Sequence, residues 1–318
     1  MKKINALQDL RGIAILMVVL FHSGSTVFGG HNIFMHGNNG VLLFFIISGF
    51  IISSIHKSDS GVNQLIVFSK KRFIRVYLPY IPVFIFFVIA FNLTGKGAWY
   101  HHDTINIVKN LFLMQNTWES IHPYSWTLVY EVYYYITFGV LVILFNLSIR
   151  SYALIMITPI LLSQFQEGLS NDFFVTTSFY NLYFLAGVLI SHYYHQIKFK
   201  ISNGMLFFIG VCFFVFPFIF DEGIFLYIST ILFFIFYIVK DKSIKILRVV
   251  GNASYSIYLI HAIVISVGKY LILDMDILKF ILLFSLSMLL GYIYHIYFEN
   301  TIVHKTNKLL LTKKKHTQ

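Results

Sequence analysis

Residues 10–29 read LRGIAILMVVLFHSGSTVFG, an apolar stretch whose only ionisable side chains are those of Arg11 and His22. As an α-helix, a stretch of this length covers about 30 Å, the thickness of the hydrocarbon core of a bilayer. A basic start followed by an apolar run can also be a cleaved signal peptide. Asp9 and Arg11 stand at the front of the run, however, and no small-residue cleavage site follows it. We therefore expect a permanent transmembrane helix.

Similar apolar stretches recur throughout the 318 residues, of which 58% are hydrophobic and 12% charged, with a mean hydropathy of +0.75. This composition predicts an all-α protein, a polytopic transmembrane helical bundle of about ten helices. We expect residues 1–318 to form a single transmembrane domain, with a basic cytoplasmic tail at about 300–318 and no appended soluble domain. The predicted spans are 10–29, 40–56, 76–94, 123–146, 152–167, 175–194, 203–220, 223–240, 252–272 and 277–299.

The basic residues are distributed unevenly between the loops that join these spans. If the N-terminus is cytoplasmic, all but four of the 24 Lys and Arg residues fall on the inner side. Cytoplasmic loops carry such an excess, so we predict that both termini are cytoplasmic in a multi-pass protein of the inner (plasma) membrane. The net charge of +11 is then a topology signal, and nucleic-acid binding is not expected. The four outer residues are Lys96, Lys109, Lys269 and Lys279.

Ionisable side chains inside spans are costly and often mark function. Arg11 and His22 are 11 residues apart, so they lie on one side of the first helix, about 16 Å apart along its axis. Glu131, in the predicted span 123–146, is expected about 12 Å below the outer surface, at the depth of His22. A carboxylate there could orient the imidazole as a general base. The alternative is a buried pair that only holds two helices together.

The predicted span 252–272 places Ser254, Tyr258 and His261 at positions i, i+4 and i+7, on one helical face. Small and aromatic polar residues often join membrane helices, and this is one interpretation of Ser254, Tyr255 and Tyr258. His261 is more costly at the middle of the membrane, which favours a functional role.

The basic residues Lys70, Lys71, Arg72 and Arg75 precede the predicted span 76–94 on the inner side. Such a group could bind the phosphates of a nucleotide-like donor. The alternative is anchoring by the positive-inside rule or contact with anionic membrane lipids.

No metal site is predicted. Cys212 is the single cysteine, so neither a disulfide nor a cysteine metal site can form within the chain. The outer segment 95–122 is either an interfacial lid or a plain loop with aromatic anchors. The outer histidines lack the spacing of metal ligands, and we expect them to be solvated loop residues. They are His31, His36, His101 and His102.

Five segments, taken in order, resemble acyltransferase family 3, the membrane O-acyltransferases that modify lipopolysaccharide, capsule and other surface polysaccharides. The chain departs from the family pattern at three points, where Lys71 replaces a usual Arg, Thr127 a usual Ser, and no proline accompanies Glu299. The segments are LRGIAILMVVLFH (10–22), GVLLFFIISGF (40–50), KKRFIRVYLP (70–79), WTLVYE (126–131) and SYSIYLIH (254–261).

The resemblance implies a donor, acyl-CoA and usually acetyl-CoA, that is reached from the cytoplasm. The acyl group would pass to a hydroxyl of an extracytoplasmic or lipid-linked glycan, with no bound cofactor. By the same resemblance His22 would be catalytic, Arg11 would lie near the donor, and Arg72 and Arg75 would contact its phosphates. Glu131 would support catalysis. Further supporting residues would be Trp126, Ser254, Tyr255, Tyr258 and His261.

Two other classes of function fit a bundle of membrane spans. A transporter or flippase of a glycan lipid could line a path with sparse buried charges, although inverted repeats are not evident in the sequence. It would not depend on acyl-CoA. A glycan polymerase would be expected to carry a large charged outer loop, whereas segment 95–122 is modest in length and poorly charged.

Overall fold

The computed structural model describes residues 4–29, 32–95, 103–115, 119–163, 174–196, 201–219, 224–240, 243–271 and 275–312. Four residues discussed above, His31, Lys96, His101 and His102, lie outside these ranges. Within them every regular element is helical. In chain order the helices are α1 (Asn5–Phe28), α2 (Asn39–His56), α3 (Val62–Thr94), α4 (Thr104–Leu111), α5 (Trp126–Phe138), α6 (Ile149–Ser163), α7 (Phe174–Thr177), α8 (Tyr180–Tyr193), α9 (Asn203–Ile219), α10 (Ile224–Lys240), α11 (Lys245–Asn252), α12 (Ser254–Gly268), α13 (Asp276–Tyr294) and α14 (Asn300–Thr312).

Five helical stretches within the described ranges have the length and hydropathy needed to cross a membrane. A sixth is added if α11 and α12, which meet at an angle of 67°, form one broken span. The all-α fold is thus confirmed over the described ranges, with five or six candidate membrane spans, while the count of about ten helices and the cytoplasmic termini stay predictions. The five are Asn5–Phe28, Met35–His56, Val62–Thr94, Trp126–Leu144 and Asp276–Thr306; the shorter apolar helices are Ile149–Ser163, Asn203–Phe213 and Phe225–Lys240.

Helix α3 begins much earlier than the predicted span 76–94. Its first residue is Val62, so the basic residues from Lys70 to Arg75 are helical. The apolar run starts only after Arg75, but Lys and Arg have high helix propensity, and the helix continues through them. The basic stretch therefore lies within the first half of a long helix.

The chain divides into two compact units. The first contains residues 1–59 and 147–254, and the second contains residues 60–146 and 255–318. The prediction of a single transmembrane domain stays a prediction.

In the first unit, α2 and α8 approach each other through two glycines. A Cβ on Gly49 would collide with the backbone carbonyl of Phe184, and a Cβ on Gly187 would collide with the carbonyl of Ile46. Only hydrogen fits at these two positions. This is the way membrane helices bring their backbones into close contact, by small residues at the interface.

The start of α11, also in the first unit, is held by a side chain of α1. Asp9 is fully buried, and its carboxylate accepts hydrogen bonds from the backbone N–H of Ile244 at 2.6 Å and the hydroxyl of Ser243 at 3.0 Å. A carboxylate at a helix N-terminus satisfies backbone donors and interacts favourably with the helix dipole. Asp9 therefore has a structural role.

In the second unit, two tyrosines join other helices to α3 near its internal prolines. The hydroxyl of Tyr255 on α12 donates to the carbonyl of Val76 at 2.7 Å, and that of Tyr294 on α13 donates to the carbonyl of Pro79 at 2.8 Å. Pro79 and Pro82 lack the N–H groups that a helix interior normally uses. The two bonds attach α12 and α13 to α3 one residue beyond the carbonyls of Arg75 and Leu78, which lose their helical donors to the prolines.

Candidate functional site

The predicted catalytic residue, His22, lies on α1 in the first unit, together with Arg11. Both side chains are half-buried. The helix is continuous between them, so they share one side of α1 at an axial separation of about 16 Å. The ring of Phe21 lies 4.8 Å from that of His22.

The turn before α2 packs against the part of α1 that precedes His22. A Cβ added to Gly37 would meet the carbonyl of Met17 and lie 2.8 Å from Cβ of Phe21. A Cβ on Gly40 would lie 3.0 Å from a methyl group of Val18. The intervening residues, 38 and 39, therefore lie within about one helical turn of His22 along the axis of α1.

Buried polar atoms accumulate in this part of the first unit. Asn39 is 2% exposed. Within the described ranges, no hydrogen-bond partner is found for Nδ2 of Asn39, Oδ1 of Asn38 or the hydroxyl of Ser25. A buried polar atom without a hydrogen-bond partner lowers the free energy of unfolding by about 1–3 kcal/mol. We call Ser25, Asn38 and Asn39 the amide cluster; none of its three side chains is ionisable.

The second unit contains a different arrangement, built on the basic stretch of α3. Arg72 and Arg75 are three residues apart and so share a face of the helix. The guanidinium of Arg72 lies 5.2 Å from the ring centroid of Tyr135 on α5, and that of Arg75 lies 5.6 Å from the ring of Tyr255. These cation–π contacts fix the direction of both arginine side chains.

Arg75 is also one member of a buried ion pair. Its Nη1 donates to Oε1 of Glu299 at 2.5 Å, and Glu299 is 1% exposed. The other carboxylate oxygen accepts from the hydroxyl of Ser256 at 2.6 Å and lies 2.8 Å from Nδ1 of His295. Both oxygens of Glu299 thus have partners, as a buried charge requires.

Glu299 owes its position to an irregular turn. A π turn, His295–Glu299, connects α13 to α14. Such turns are rare, insert one extra residue into a helix and often occur at functional sites. His295 and Glu299 are its first and last residues, and their side chains are in contact.

Glu131 lies on α5 with Thr127 and Tyr135, at intervals of four residues that align the three side chains. The hydroxyl of Tyr135 donates to Oε1 of Glu131. The charges of Glu131, Arg75 and Glu299 all act on the hydroxyl of Tyr255. We call Arg72, Arg75, Glu131 and Glu299 the charged cluster.

A second polar group in the same unit joins α12 to the start of α5. The buried hydroxyl of Tyr258 is 2.7 Å from Oγ1 of Thr127 and donates to the carbonyl of Tyr124 at 2.5 Å. The ring of His261 stacks on that of Tyr124 at 4.8 Å, and its Nδ1 lies 2.5 Å from the carbonyl of Tyr258. Trp126 packs edge-on against Tyr130. These contacts give Tyr258 and His261 a role in joining helices.

His122, in the loop before α5, is fully buried. Its Nε2 is 3.4 Å from the carbonyl of Leu259, and its Nδ1 accepts from the backbone N–H of Tyr124 at 3.3 Å. Burial lowers the pKa of His122 to about 4, an effect that the hydrogen bond to Leu259 partly offsets. His122 is therefore neutral at physiological pH and anchors this loop to α12.

The structure brings together, in the second unit, most of the residues selected from the sequence. Arg72, Arg75, Glu131 and Tyr255 belong to one group, and Trp126, Tyr258 and His261 belong to the adjoining one. Arg11, His22 and the fully buried Ser254 belong to the first unit. The pairing of His22 with Glu131 and the catalytic assignments stay predictions.

Three residues of the charged region had no role assigned to them from the sequence. They are Glu299, which was noted only where the chain departs from the family pattern, and His295 and Ser256. A carboxylate at the end of a long apolar stretch is itself a signal, since ionisable groups in spans are rare. Over the part of the chain that the structure describes, no three His, Cys, Asp or Glu side chains are grouped as metal ligands would be. The expectation of no metal or bound cofactor stays a prediction.

Comparison with known proteins gives a family and several relatives. The family model of the acyltransferase domain, that of acyltransferase family 3, matches residues 4–296. A protein of Staphylococcus aureus strain COL, named "Putative O-acetyltransferase", is 28% identical in a match covering 84% of this chain and 51% of that protein. Proteins of the same name from strains MSSA476 and MRSA252 are 27% identical with the same coverage. The chain spans about half the length of these relatives. No solved structure matches it.

Proposed function

Since the chain belongs to acyltransferase family 3, we propose that it is a membrane O-acyltransferase. In this proposal it moves an acyl group, in particular acetyl, from cytoplasmic acyl-CoA to a hydroxyl of an extracytoplasmic or lipid-linked glycan. The family match over residues 4–296 is the observation that carries the proposal. The protein would act in the inner (plasma) membrane, in contact with membrane lipids.

The charged cluster supports the donor part of the proposal. Arginine binds phosphate through a planar fork of N–H donors, and a guanidinium has five of them, more than one carboxylate oxygen can use. Glu299 and the ring of Tyr255 hold Arg75 in a single direction. An arginine that is already oriented loses less entropy on binding a phosphate. Arg72, held by Tyr135, would act beside it, and Arg11 would lie near the donor.

His22 supports the transfer step. Its imidazole would take the proton of the acceptor hydroxyl while the hydroxyl oxygen attacks the thioester carbonyl. The new C–O ester bond forms, the C–S bond breaks, and coenzyme A leaves as the thiolate, which then takes up a proton. Alternatively, the imidazole itself would attack the thioester and carry the acyl group to the hydroxyl in a second step. Glu131 would support the active site in either case.

The test is mass spectrometry of surface glycans from cells fed labelled acetate and carrying wild-type protein or the His22→Ala variant at equal membrane levels. We expect a labelled acetyl group on the glycan with the wild type and its loss with His22→Ala. His195→Ala, which removes an exposed histidine from the same unit, is the control and should retain the label.

The other outcomes of this experiment are equally informative. If His22→Ala retains the label, His22 is not the catalyst. If wild-type cells add no label, the acyltransferase proposal fails for acetyl transfer, and the transporter interpretation, which needs no acyl-CoA, becomes the better one.

A further inference from the structure

The amide cluster belongs to neither the donor nor the catalytic assignment above. Its members are Ser25 on α1 and the consecutive residues Asn38 and Asn39 at the start of α2. Their side chains present one hydroxyl, one amide N–H₂ and one amide oxygen that have no hydrogen-bond partner in the described ranges. Buried side-chain polar atoms in proteins nearly always have hydrogen-bond partners. Three such atoms without partners in one part of the first unit therefore indicate a binding site for a polar ligand.

The cluster lies beside His22. Val18 contacts Gly40, the residue after Asn39. His22 follows Val18 by four residues and so stands one turn above it on the same side of α1. Ser25 follows His22 by three residues and is its neighbour on the helix surface. All three members therefore lie within about one or two helical turns of the predicted catalytic imidazole.

The chemistry of the cluster selects the class of ligand. Its side chains carry no charge, in contrast to the charged cluster of the second unit, so a phosphate or carboxylate would find no counter-charge among them. A hydroxyl group donates one hydrogen bond and accepts others. Oδ1 of Asn38 can accept from such a group and Nδ2 of Asn39 can donate to it. Neighbouring hydroxyls of a sugar ring match this combination.

We propose that Asn39, together with Asn38 and Ser25, binds sugar hydroxyl groups of the acceptor and presents one of them to His22. This inference rests on the proposed function and assigns its acceptor site. Asn39 acts by positioning the acceptor and takes no part in breaking the thioester bond.

The test uses the full-length protein in membranes, with radiolabelled acetyl-CoA as donor and de-O-acetylated surface polysaccharide from the same cells as acceptor. The main variant is Asn39→Leu, which keeps the number and branching of the side-chain heavy atoms and removes both hydrogen-bonding atoms. We expect the acceptor KM to rise at least about tenfold, equivalent to about 1.4 kcal/mol of binding. The KM for acetyl-CoA should change less than about twofold, and the Tm should be unchanged or higher.

Two further variants distinguish a loss of acceptor binding from an effect on folding. Asn38→Ala, at a half-buried position, should also raise the acceptor KM. Ser53→Ala is the control, because Ser53 is equally buried on α2, its hydroxyl also has no partner in the described ranges, and it lies about 21 Å further along the helix. Ser53→Ala should leave both KM values unchanged.

The possible results separate the site from the function. If the wild type is active and Asn39→Leu retains the acceptor KM, the acceptor site is wrong while the proposed function stands. If the KM for acetyl-CoA rises instead, the cluster binds the amide groups of the donor, and the inference is again overturned. If the wild type transfers no acetyl group to the polysaccharide, the proposed function fails and the acceptor site fails with it.

Discussion

Replacing Arg75 by methionine should destabilise the second unit, because it leaves the carboxylate of Glu299 buried without its counter-charge. Glu299 is 1% exposed, whereas the side chain of Arg75 is 34% exposed. Breaking a fully buried ion pair costs about 3–5 kcal/mol. Solvent reaches one side of this pair, and Ser256 and His295 still contact the carboxylate. We therefore expect about 2–3 kcal/mol for Arg75→Met.

The assay is thermal unfolding of the purified protein in detergent. In chains of a few hundred residues, 1 kcal/mol corresponds to roughly 2–4 °C, so the Tm of Arg75→Met should fall by about 4–12 °C. Lys71→Met is the matched control, since it removes an exposed basic side chain from the same helix. It should shift the Tm by less than about 2 °C, because exposed substitutions change stability by about 0.5 kcal/mol or less.

A double-variant cycle then isolates the pair itself. Glu299→Gln removes the buried charge and keeps the size of the side chain. Combined with Arg75→Met it leaves no unpaired charge, so the double variant should be more stable than the sum of the single effects by about 1–2 kcal/mol. If the Tm of Arg75→Met lies within about 2 °C of the wild-type value, or if the effects of the two changes are additive, the ion pair contributes no net stability and our reasoning is wrong.

Three further predictions concern packing, hydrogen bonding and pH. Gly187→Ala should lower the yield of folded protein sharply, because the added Cβ meets the backbone of Ile46. Gly204→Ala should be tolerated, because the nearest atom to the added Cβ is Oγ of Ser202, at 4.0 Å; fluorescence-detected size exclusion would compare the two variants. Tyr258→Phe should cost about 1–2 kcal/mol and lower the Tm by a few degrees, since it removes a buried hydroxyl that has two partners. The pKa of His122 is lowered to about 4 in the folded protein, so the unfolded chain binds the extra proton below about pH 6.5. The free energy of unfolding should therefore be highest above pH 6.5 and should fall by up to about 3 kcal/mol towards pH 4. When Tm is measured against pH, the His122→Gln variant should show a smaller decrease than the wild type.

The long apolar helices could be predicted from the sequence because hydropathy and length alone identify them. The start of α3 could not be predicted in the same way. The apolar run begins at Val76, and the charged residues before it were assigned to a loop, although Lys and Arg are favourable in helices. The five segments that resemble the family also led to the correct family, since their order is a property of sequence alone.

The contacts between the charged side chains could not be predicted from the sequence, for two physical reasons. Arg75 and Glu299 are 224 residues apart, and nothing local indicates that they meet. In addition, helical periodicity assumes about 100° per residue, and the extra residue of the π turn His295–Glu299 shifts every later position to another face. A helical wheel drawn through α13 and α14 as one regular helix would misplace Glu299.

The charge balance of the charged cluster constrains how it can serve an anionic donor. Its two arginines and two glutamates cancel, so at long range the cluster itself exerts little attraction on phosphate groups. Lys70 and Lys71, which are exposed on the preceding turn of α3, are placed to supply that attraction. Arg75, held by Glu299, is suited instead to fixing the orientation of a phosphate at short range. In the proposed enzyme the lysines would govern how fast the donor arrives, and the paired arginine would govern how it is held.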